Sequence, residues 1–199
     1  NRAFSRDVEC ISQLAIARCE GLRSAGVPAV GKHFPGHGYV SADSHVDVPV
    51  DLRSLGEMTE DLVPFRRLVE CGLEAIMPAH VIYERVDDLP AGFSKHWLGT
   101  VLRNELGFEG MIFSDDLMME GAKPMGTIAQ RAARAFEAGC DMVLVCNAPE
   151  DARRLASELA GKSSPLEVRL AELMRAEVAS ATADGVAEYR RAVNLIESL

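Results

Sequence analysis

The sequence predicts an α/β fold built on a parallel β-sheet. Helix-like periodicity and short apolar runs alternate along the 199 residues, so that four predicted strands alternate with four or more predicted helices. Parallel strands need a long crossover connection, which a helix after each strand supplies. Polar residues follow each apolar run, where ligands bind in α/β folds. A doubly wound sheet and a (β/α)8 barrel both satisfy this pattern, and four units are about half of such a barrel.

The segment up to Cys71 contains two predicted helices and the first strand. Apolar residues recur every three to four positions from Asp7 to Ala25, and Gly26 ends that helix. The run VPAVGKHF then predicts a buried strand. Met58 to Cys71 is amphipathic and predicts a second helix, although Pro64 fits only within its first turns.

Three further strands are predicted in the rest of the chain, namely LEAIMPAHVIY, GMIFSDDL and CDMVLVCN. Between the first two, Ser94 is a candidate N-cap for a helix that runs to Leu106. Thr127 to Ala138 predicts the helix before the last strand. Helices at about 150–160, 164–180 and 183–198 complete the chain.

Bulk properties argue against several classes of partner. The formal net charge is -9 and the pI is near 5.1, and an acidic surface repels nucleic acids and anionic membranes. No apolar run approaches the roughly 18 residues of a membrane span. The five cysteines form no CxxC pair, which predicts reduced thiols in a cytoplasmic protein.

The segment GKHFPGHGYVSADSH, residues 31–45, holds three of the five histidines. His33 and His37 have the i,i+4 spacing of a helical zinc site, but Pro35 lies between them and excludes a regular helix. One alternative is a metal site formed by His33, His37, Asp43 and His45. Another is a turn whose histidines only cap backbone groups.

Asp43 and His45 form the more informative pair in this segment. An aspartate two residues before a histidine can hold one ring nitrogen, which raises the basicity of the other. His45 is therefore a candidate general acid/base. Ser44 is a poor candidate for a nucleophile, because it lacks the G-x-S-x-G context.

Two consecutive carboxylates end the predicted strand GMIFSDDL. Side chains alternate along a strand, so we expect Asp115 to face the site and Asp116 to cap the next turn. Asp115 could be a nucleophile, a base or a metal ligand. After other strands, His80 is interpreted as a structural histidine, Cys146 as a small buried residue and Asn147 as a possible substrate contact.

Together these segments resemble glycoside hydrolase family 3, in its branch of bacterial β-N-acetylglucosaminidases of peptidoglycan recycling. The resemblance covers nearly the whole chain through NRAFSRD, GKHFPGHG, DSH, IMPAHVIY, LRNELGFEGMIFSDDLMMEGA and AGCDMVLVCN. It implies a (β/α)8 TIM barrel. Residues 1–199 would supply roughly the C-terminal portion of a single glycosidase domain, without its N-terminal strands.

The resemblance implies a retaining exo-β-N-acetylglucosaminidase that acts on peptidoglycan-derived muropeptides. Asp115 matches the nucleophile, and His45 matches an unusual general acid/base held by Asp43. The residues that match substrate-binding positions are Arg2, Lys32 and His33. A histidine pKa of about 6.5 suits both donation and acceptance of a proton near neutral pH. No metal or cofactor is implied, and the partner is a small sugar; the oligomeric state stays open.

Three other functions remain open. A phosphorylase on the same fold is one, because a neutral or cationic His45 would not repel phosphate. A metal-dependent barrel hydrolase that uses His33, His37 and Asp115 is another. The third is a non-catalytic sugar-binding remnant.

Overall fold

Four parallel strands lie side by side in the order in which the chain forms them. The structure is a computed structural model that describes residues 3–42, 44, 47–160 and 166–174, together with 185, 187, 189–191 and 193–194. Its strands are β1 (Val30–Phe34), β2 (Val50–Asp51), β3 (Ala75–Pro78), β4 (Ile82–Tyr83), β5 (Met111–Asp116) and β6 (Met142–Leu144). The main sheet has the order β1-β3-β5-β6, and β2 pairs with β4 in a small parallel sheet.

The strand order distinguishes between the two predicted architectures. A doubly wound sheet reverses its order at a switch point, whereas the strands of a barrel follow one another without reversal. Within the described residues the order never reverses, and β1 and β6 form the two outer edges. The sheet therefore has the topology of an open section of a barrel wall.

One predicted strand is divided in two. LEAIMPAHVIY forms β3 up to Pro78, and then β4 in the small sheet. Proline has no N–H to continue a ladder. Between the two strands, the carbonyl groups of Ala79 and Val81 accept hydrogen bonds from a short 3-10 helix at Ala91–Phe93.

The first two helices lie close to their predicted positions. Helix α1 (Val8–Ser24) begins after Asp7, whose carboxylate accepts a hydrogen bond from the Cys10 N–H at 2.7 Å. Helix α2 (Thr59–Glu70) packs against α1. Pro64 lies inside α2, further from its start than the first turn in which proline is most easily accommodated.

The remaining helices also follow the sequence pattern. The Ser94 hydroxyl accepts a hydrogen bond from the Trp97 N–H at 3.0 Å and caps a π-helical segment, His96–Glu105. Thr127 and Gln130 cap helix α3 (Ile128–Ala138) reciprocally. Helices α4 (Pro149–Leu159) and α5 (Leu166–Met174) follow. The predicted helix at 183–198 lies largely outside the described residues, and no helix within them is long and apolar enough to cross a membrane.

An aromatic cluster supports the end of β1. Phe34 is fully buried and makes edge-to-face contacts with Phe65 at 5.3 Å and Trp97 at 6.0 Å between ring centroids. Trp97 in turn contacts Tyr83 at 5.1 Å. These contacts fix the point at which β1 passes into the following loop.

A charged cluster holds the opposite end of β5. Arg103 donates to Asp141 at 2.9 Å, and Asp141 also accepts hydrogen bonds from the Ile112 N–H and from Arg169 of α5. Desolvation by burial lowers the pKa of Arg103, an effect that Asp141 partly opposes. The cluster therefore joins β5 and α5 at the end of the sheet away from the polar strand ends.

Candidate functional site

The carboxyl ends of three neighbouring strands bring the candidate residues together. His33 lies near the end of β1, His80 follows β3, and Asp115 lies near the end of β5. Because β3 pairs with both β1 and β5, these ends meet at one edge of the sheet. This is the edge at which parallel α/β folds bind ligands.

His33 and Asp115 face one another across this edge. His33 Nε2 lies 3.6 Å from Asp115 Oδ2, and the side chains are 15% and 13% exposed. The other carboxylate oxygen, Oδ1, accepts a hydrogen bond from the Asp116 N–H at 2.8 Å. Lys32, next to His33 on β1, is exposed. Asp115 thus has one oxygen held by the backbone and one beside an imidazole.

Asp116 has the predicted structural position. Its Oδ1 accepts hydrogen bonds from the Met118 N–H at 3.0 Å and from the Cys146 N–H at 2.9 Å. It therefore caps the turn after β5 and links that turn to the segment after β6. Cys146 itself is exposed rather than buried, because β6 ends at Leu144 and the predicted strand CDMVLVCN does not continue to it.

His80 lies beneath the site as a structural histidine, as predicted. It is fully buried, stacks on Phe93 with ring centroids 5.2 Å apart, and places Nε2 3.1 Å from the Asp116 carbonyl oxygen. A carbonyl oxygen can only accept, so Nε2 carries the proton. Burial lowers the pKa of His80, against the opposing effect of Asp115, so the ring is neutral.

The loop between β1 and β2, residues 35–49, contributes a buried serine to this edge. Ser44 is 3% exposed, and its hydroxyl oxygen lies 3.2 Å from His37 Nε2. Its carbonyl oxygen accepts a hydrogen bond from the Gly121 N–H at 3.1 Å. The His37 ring is 6.2 Å from the His33 ring, which extends the contacts to the site. The predicted site residues Arg2, Asp43 and His45 lie outside the described residues.

Arg53 holds the start of the same loop, a role that the sequence analysis missed. Its guanidinium lies 3.9 Å from the centroid of the Tyr39 ring and forms ion pairs with Asp51 and Asp61. The Asp51 hydrogen bonds, followed by those of Asp61, raise the pKa of Arg53 above its ordinary value. Tyr83 adds a hydrogen bond from its hydroxyl to the Gly36 carbonyl at 2.8 Å.

The metal alternative receives no support from the described part of the chain. Among those residues, no group of three or more histidine, cysteine, aspartate and glutamate side chains is arranged to hold a metal ion. This result includes the set His33, His37 and Asp115, whereas the set in the loop also contains Asp43 and His45, which lie outside the described residues.

Comparisons with known sequences agree with the fold. The family model "Glycosyl hydrolase family 3 N terminal domain" matches residues 1–178. A beta-hexosaminidase of Nitrosospira multiformis is 58% identical over 160 residues, which are 80% of this chain and 46% of that protein. A beta-hexosaminidase of Thioalkalivibrio sulfidiphilus is 53% identical over 174 residues, which are 87% of this chain and 50% of that protein. The chain thus spans about half the length of these relatives.

Solved structures give the same picture. NagZ of Neisseria gonorrhoeae, in complex with N-trifluoroacetyl-D-glucosamine, is 44% identical with a TM-score of 0.76, over 94% of this chain and 53% of that one. CbsA of Thermotoga neapolitana is 31% identical with a TM-score of 0.80, over 94% of this chain and 45% of that one. The described residues therefore share their fold with about half of each of these larger chains.

Proposed function

Since this chain belongs to glycosyl hydrolase family 3, we propose that the whole protein is a retaining β-N-acetylglucosaminidase that removes terminal sugars from the non-reducing end. The observation that carries this proposal is the environment of Asp115. Its carboxylate lies at the carboxyl end of β5, has one oxygen held by a backbone N–H and has the other 3.6 Å from His33. A retaining glycosidase needs a carboxylate fixed in this way as its nucleophile.

In the first step, Asp115 attacks the anomeric carbon and forms a glycosyl-aspartate. The attacking oxygen is Oδ2, because Oδ1 is engaged by the Asp116 N–H. The bond between the anomeric carbon and the leaving oxygen breaks, and His45 gives its proton to that oxygen. The departing group leaves as an alcohol, and His45 is left neutral.

In the second step, water releases the sugar. Neutral His45 accepts a proton from the water as the water oxygen attacks the anomeric carbon, and Asp115 departs as a carboxylate. Asp43 holds the His45 ring in the orientation that both steps need. We assign the binding of the substrate to Arg2, Lys32 and His33, the last of which lies beside the reacting carboxylate oxygen.

The substrate proposed here is an N-acetylglucosamine unit of a peptidoglycan-derived muropeptide in the cytoplasm. The N-acylated glucosamine bound by NagZ of Neisseria gonorrhoeae supports the sugar. The resemblance to peptidoglycan-recycling enzymes supports the muropeptide. The acidic composition makes a nucleic acid an unfavourable partner.

The test compares two aryl glycosides with the full-length protein in phosphate-free buffer that contains a chelator. We expect clear turnover of the aryl β-N-acetylglucosaminide and much less of the matching β-glucoside. No turnover of either glycoside with or without the chelator would favour a sugar-binding remnant, and turnover only without the chelator would favour a metal-dependent hydrolase. A sugar 1-phosphate formed after phosphate is added would favour the phosphorylase.

A further inference from the structure

Ser44 is buried in a loop in which other described residues are exposed. Ser41 and Asp47 are exposed, whereas Ser44 is 3% exposed. A serine is usually found at the surface, so a buried one requires partners for its polar atoms. Ser44 has two, and they come from different parts of the chain.

The first partner ties the loop to the segment that follows β5. The Ser44 carbonyl oxygen accepts the Gly121 N–H at 3.1 Å, and Gly121 belongs to a 3-10 helix at Glu120–Met125. Gly121 also lies against His80, where an added Cβ would be 2.9 Å from both the Cβ and the carbonyl oxygen of His80. Such a distance is too short for a side chain, so glycine is required for this approach.

The second partner ties the loop to its own beginning. The Ser44 hydroxyl lies 3.2 Å from His37 Nε2, and the His37 ring packs edge-on near His33. Ser44 is therefore held on one side by His37, whose ring lies near His33, and on the other by the segment that follows Asp115. The contacts continue from Gly121 through His80 to the carbonyl of Asp116.

We propose that Ser44 is a positioning residue, which fixes the loop bearing His45 relative to Asp115. This inference rests on the proposed function, in which these two residues share the reaction. Ser44 stands between Asp43 and His45 in the sequence, and its own carbonyl and hydroxyl are held by contacts to Gly121 and His37. Misplacing a catalytic group by about 1 Å can lower a rate by about 100-fold, which gives such an anchor a kinetic effect.

The test uses Ser44→Ala in the full-length protein, with Ser41→Ala as the control from an exposed position of the same loop. We measure kcat/KM for an aryl and for an alkyl β-N-acetylglucosaminide. An alkyl leaving group needs protonation by His45, whereas an activated aryl group needs it less. We expect Ser44→Ala to lower kcat/KM for the alkyl glycoside by about 10-fold or more, and kcat/KM for the aryl glycoside by much less.

A second pair of variants tests whether the His37 contact carries the effect. His37→Leu should reproduce the loss of alkyl activity, and adding Ser44→Ala to it should cause little further loss, because both remove one hydrogen bond. His37→Gln should recover part of the activity, since its amide nitrogen reaches a similar position. Additive losses, or equal losses on both substrates, would overturn the positioning role.

Hydrogen exchange of the peptide that covers residues 35–49 gives a readout without substrate. In Ser44→Ala, the amide hydrogens of this peptide should exchange faster than in the wild type and in Ser41→Ala. Unchanged exchange, or faster exchange with unaltered substrate selectivity, would overturn the inference. If the wild type turned over neither glycoside, the proposed function would fail. Exchange alone would then decide whether Ser44 anchors the loop.

Discussion

At the scale of single residues, the two oxygens of Asp115 have different surroundings. Asp115→Asn keeps the size and an acceptor for the Asp116 N–H, but it removes the charge that attacks the anomeric carbon. We expect kcat to fall by about 10⁴-fold or more, because the variant has no nucleophile. Calorimetric titration should still detect N-acetylglucosamine binding. The exposed carboxylate variant Asp88→Asn should keep wild-type activity.

His45 and Asp43 should respond differently to substitution. His45→Ala should reduce kcat/KM most for substrates with poor leaving groups, because these depend on proton donation. Asp43→Ala should lower the same rates less, since it only disturbs the orientation of the ring. The measurement is kcat/KM for a series of aryl glycosides with increasing leaving-group pKa. A series that falls equally for all leaving groups in His45→Ala would contradict the acid role.

The burial of His80 predicts a dependence of stability on pH. Burial lowers its pKa below the ordinary 6.5, so the unfolded chain takes up a proton first as the pH falls. The stabilising contribution is therefore complete above about pH 6.5 and is lost below it, by up to about 1.4 kcal/mol per pH unit. His80→Gln, whose amide can still reach the Asp116 carbonyl, should lack this pH-dependent contribution to the free energy of unfolding.

Urea unfolding at several pH values measures the difference between wild type and His80→Gln. The difference should stay constant from about pH 7.5 upward, where histidine is neutral in both states, and should change between pH 6.5 and 5. A difference that is independent of pH over the whole range would mean that His80 is free to protonate in the folded protein.

At the scale of elements, the sequence predicted helices better than strands. Ser94 accepts the backbone hydrogen bond expected of an N-cap, and the helices predicted from Asp7 and Thr127 begin one residue later, at Val8 and Ile128. Strand lengths were overestimated, because an apolar run does not reveal where its ladder partner ends. LEAIMPAHVIY is divided after Pro78, and CDMVLVCN pairs only within Met142–Leu144.

The cluster at the start of β5 should contribute strongly to stability. Asp141 is 9% exposed and pairs with Arg103 and Arg169. Removing it takes the carboxylate away from Arg103 and the acceptor away from the buried Ile112 N–H. We expect Asp141→Ala to lower the free energy of unfolding by about 3–5 kcal/mol. The control is Arg153→Ala, which breaks an exposed pair with Glu150 and should cost about 0–1 kcal/mol. Urea denaturation of both variants checks the contrast.

At the scale of the whole molecule, the parallel sheet and the meeting of His33 with Asp115 could be predicted from sequence. The alternation of strands and helices predicts the parallel sheet. The carboxyl ends of its strands then share one edge, which brings His33 and Asp115 together. The Ser44–Gly121 contact could not be predicted, because it joins backbone atoms of segments that lie far apart in the chain, and a residue's type does not show which distant carbonyl its N–H reaches. Arg53 was missed for the same reason, since its aromatic and acidic partners meet only in the folded loop.

The relatives' greater length suggests what covers the outer edge of β1. Val30 is 45% exposed there, and we expect further strands of the same domain to bury it in the full-length protein. Val30→Asp should then lower the free energy of unfolding by roughly 1.5–3 kcal/mol, the value of a buried aliphatic side chain. Met174→Asp, at a position 74% exposed, is the control. If thermal or urea unfolding showed equally small losses of stability in Val30→Asp and Met174→Asp, the outer edge of β1 would be exposed in the full-length protein.

The exposed thiol of Cys146 makes the site accessible to an optical reporter. Partial desolvation of the thiol, followed by the carboxylates of Asp116 and Asp115, raises the pKa of Cys146, so a maleimide dye should attach faster at pH 8.5 than at pH 7. Cys71 is also exposed and would first be replaced by serine. Because the Cys146 N–H donates a hydrogen bond to the Asp116 carboxylate, the dye would lie beside the turn that follows Asp115. Its fluorescence could then report the arrival and departure of a sugar in real time, even for a substrate that carries no chromophore.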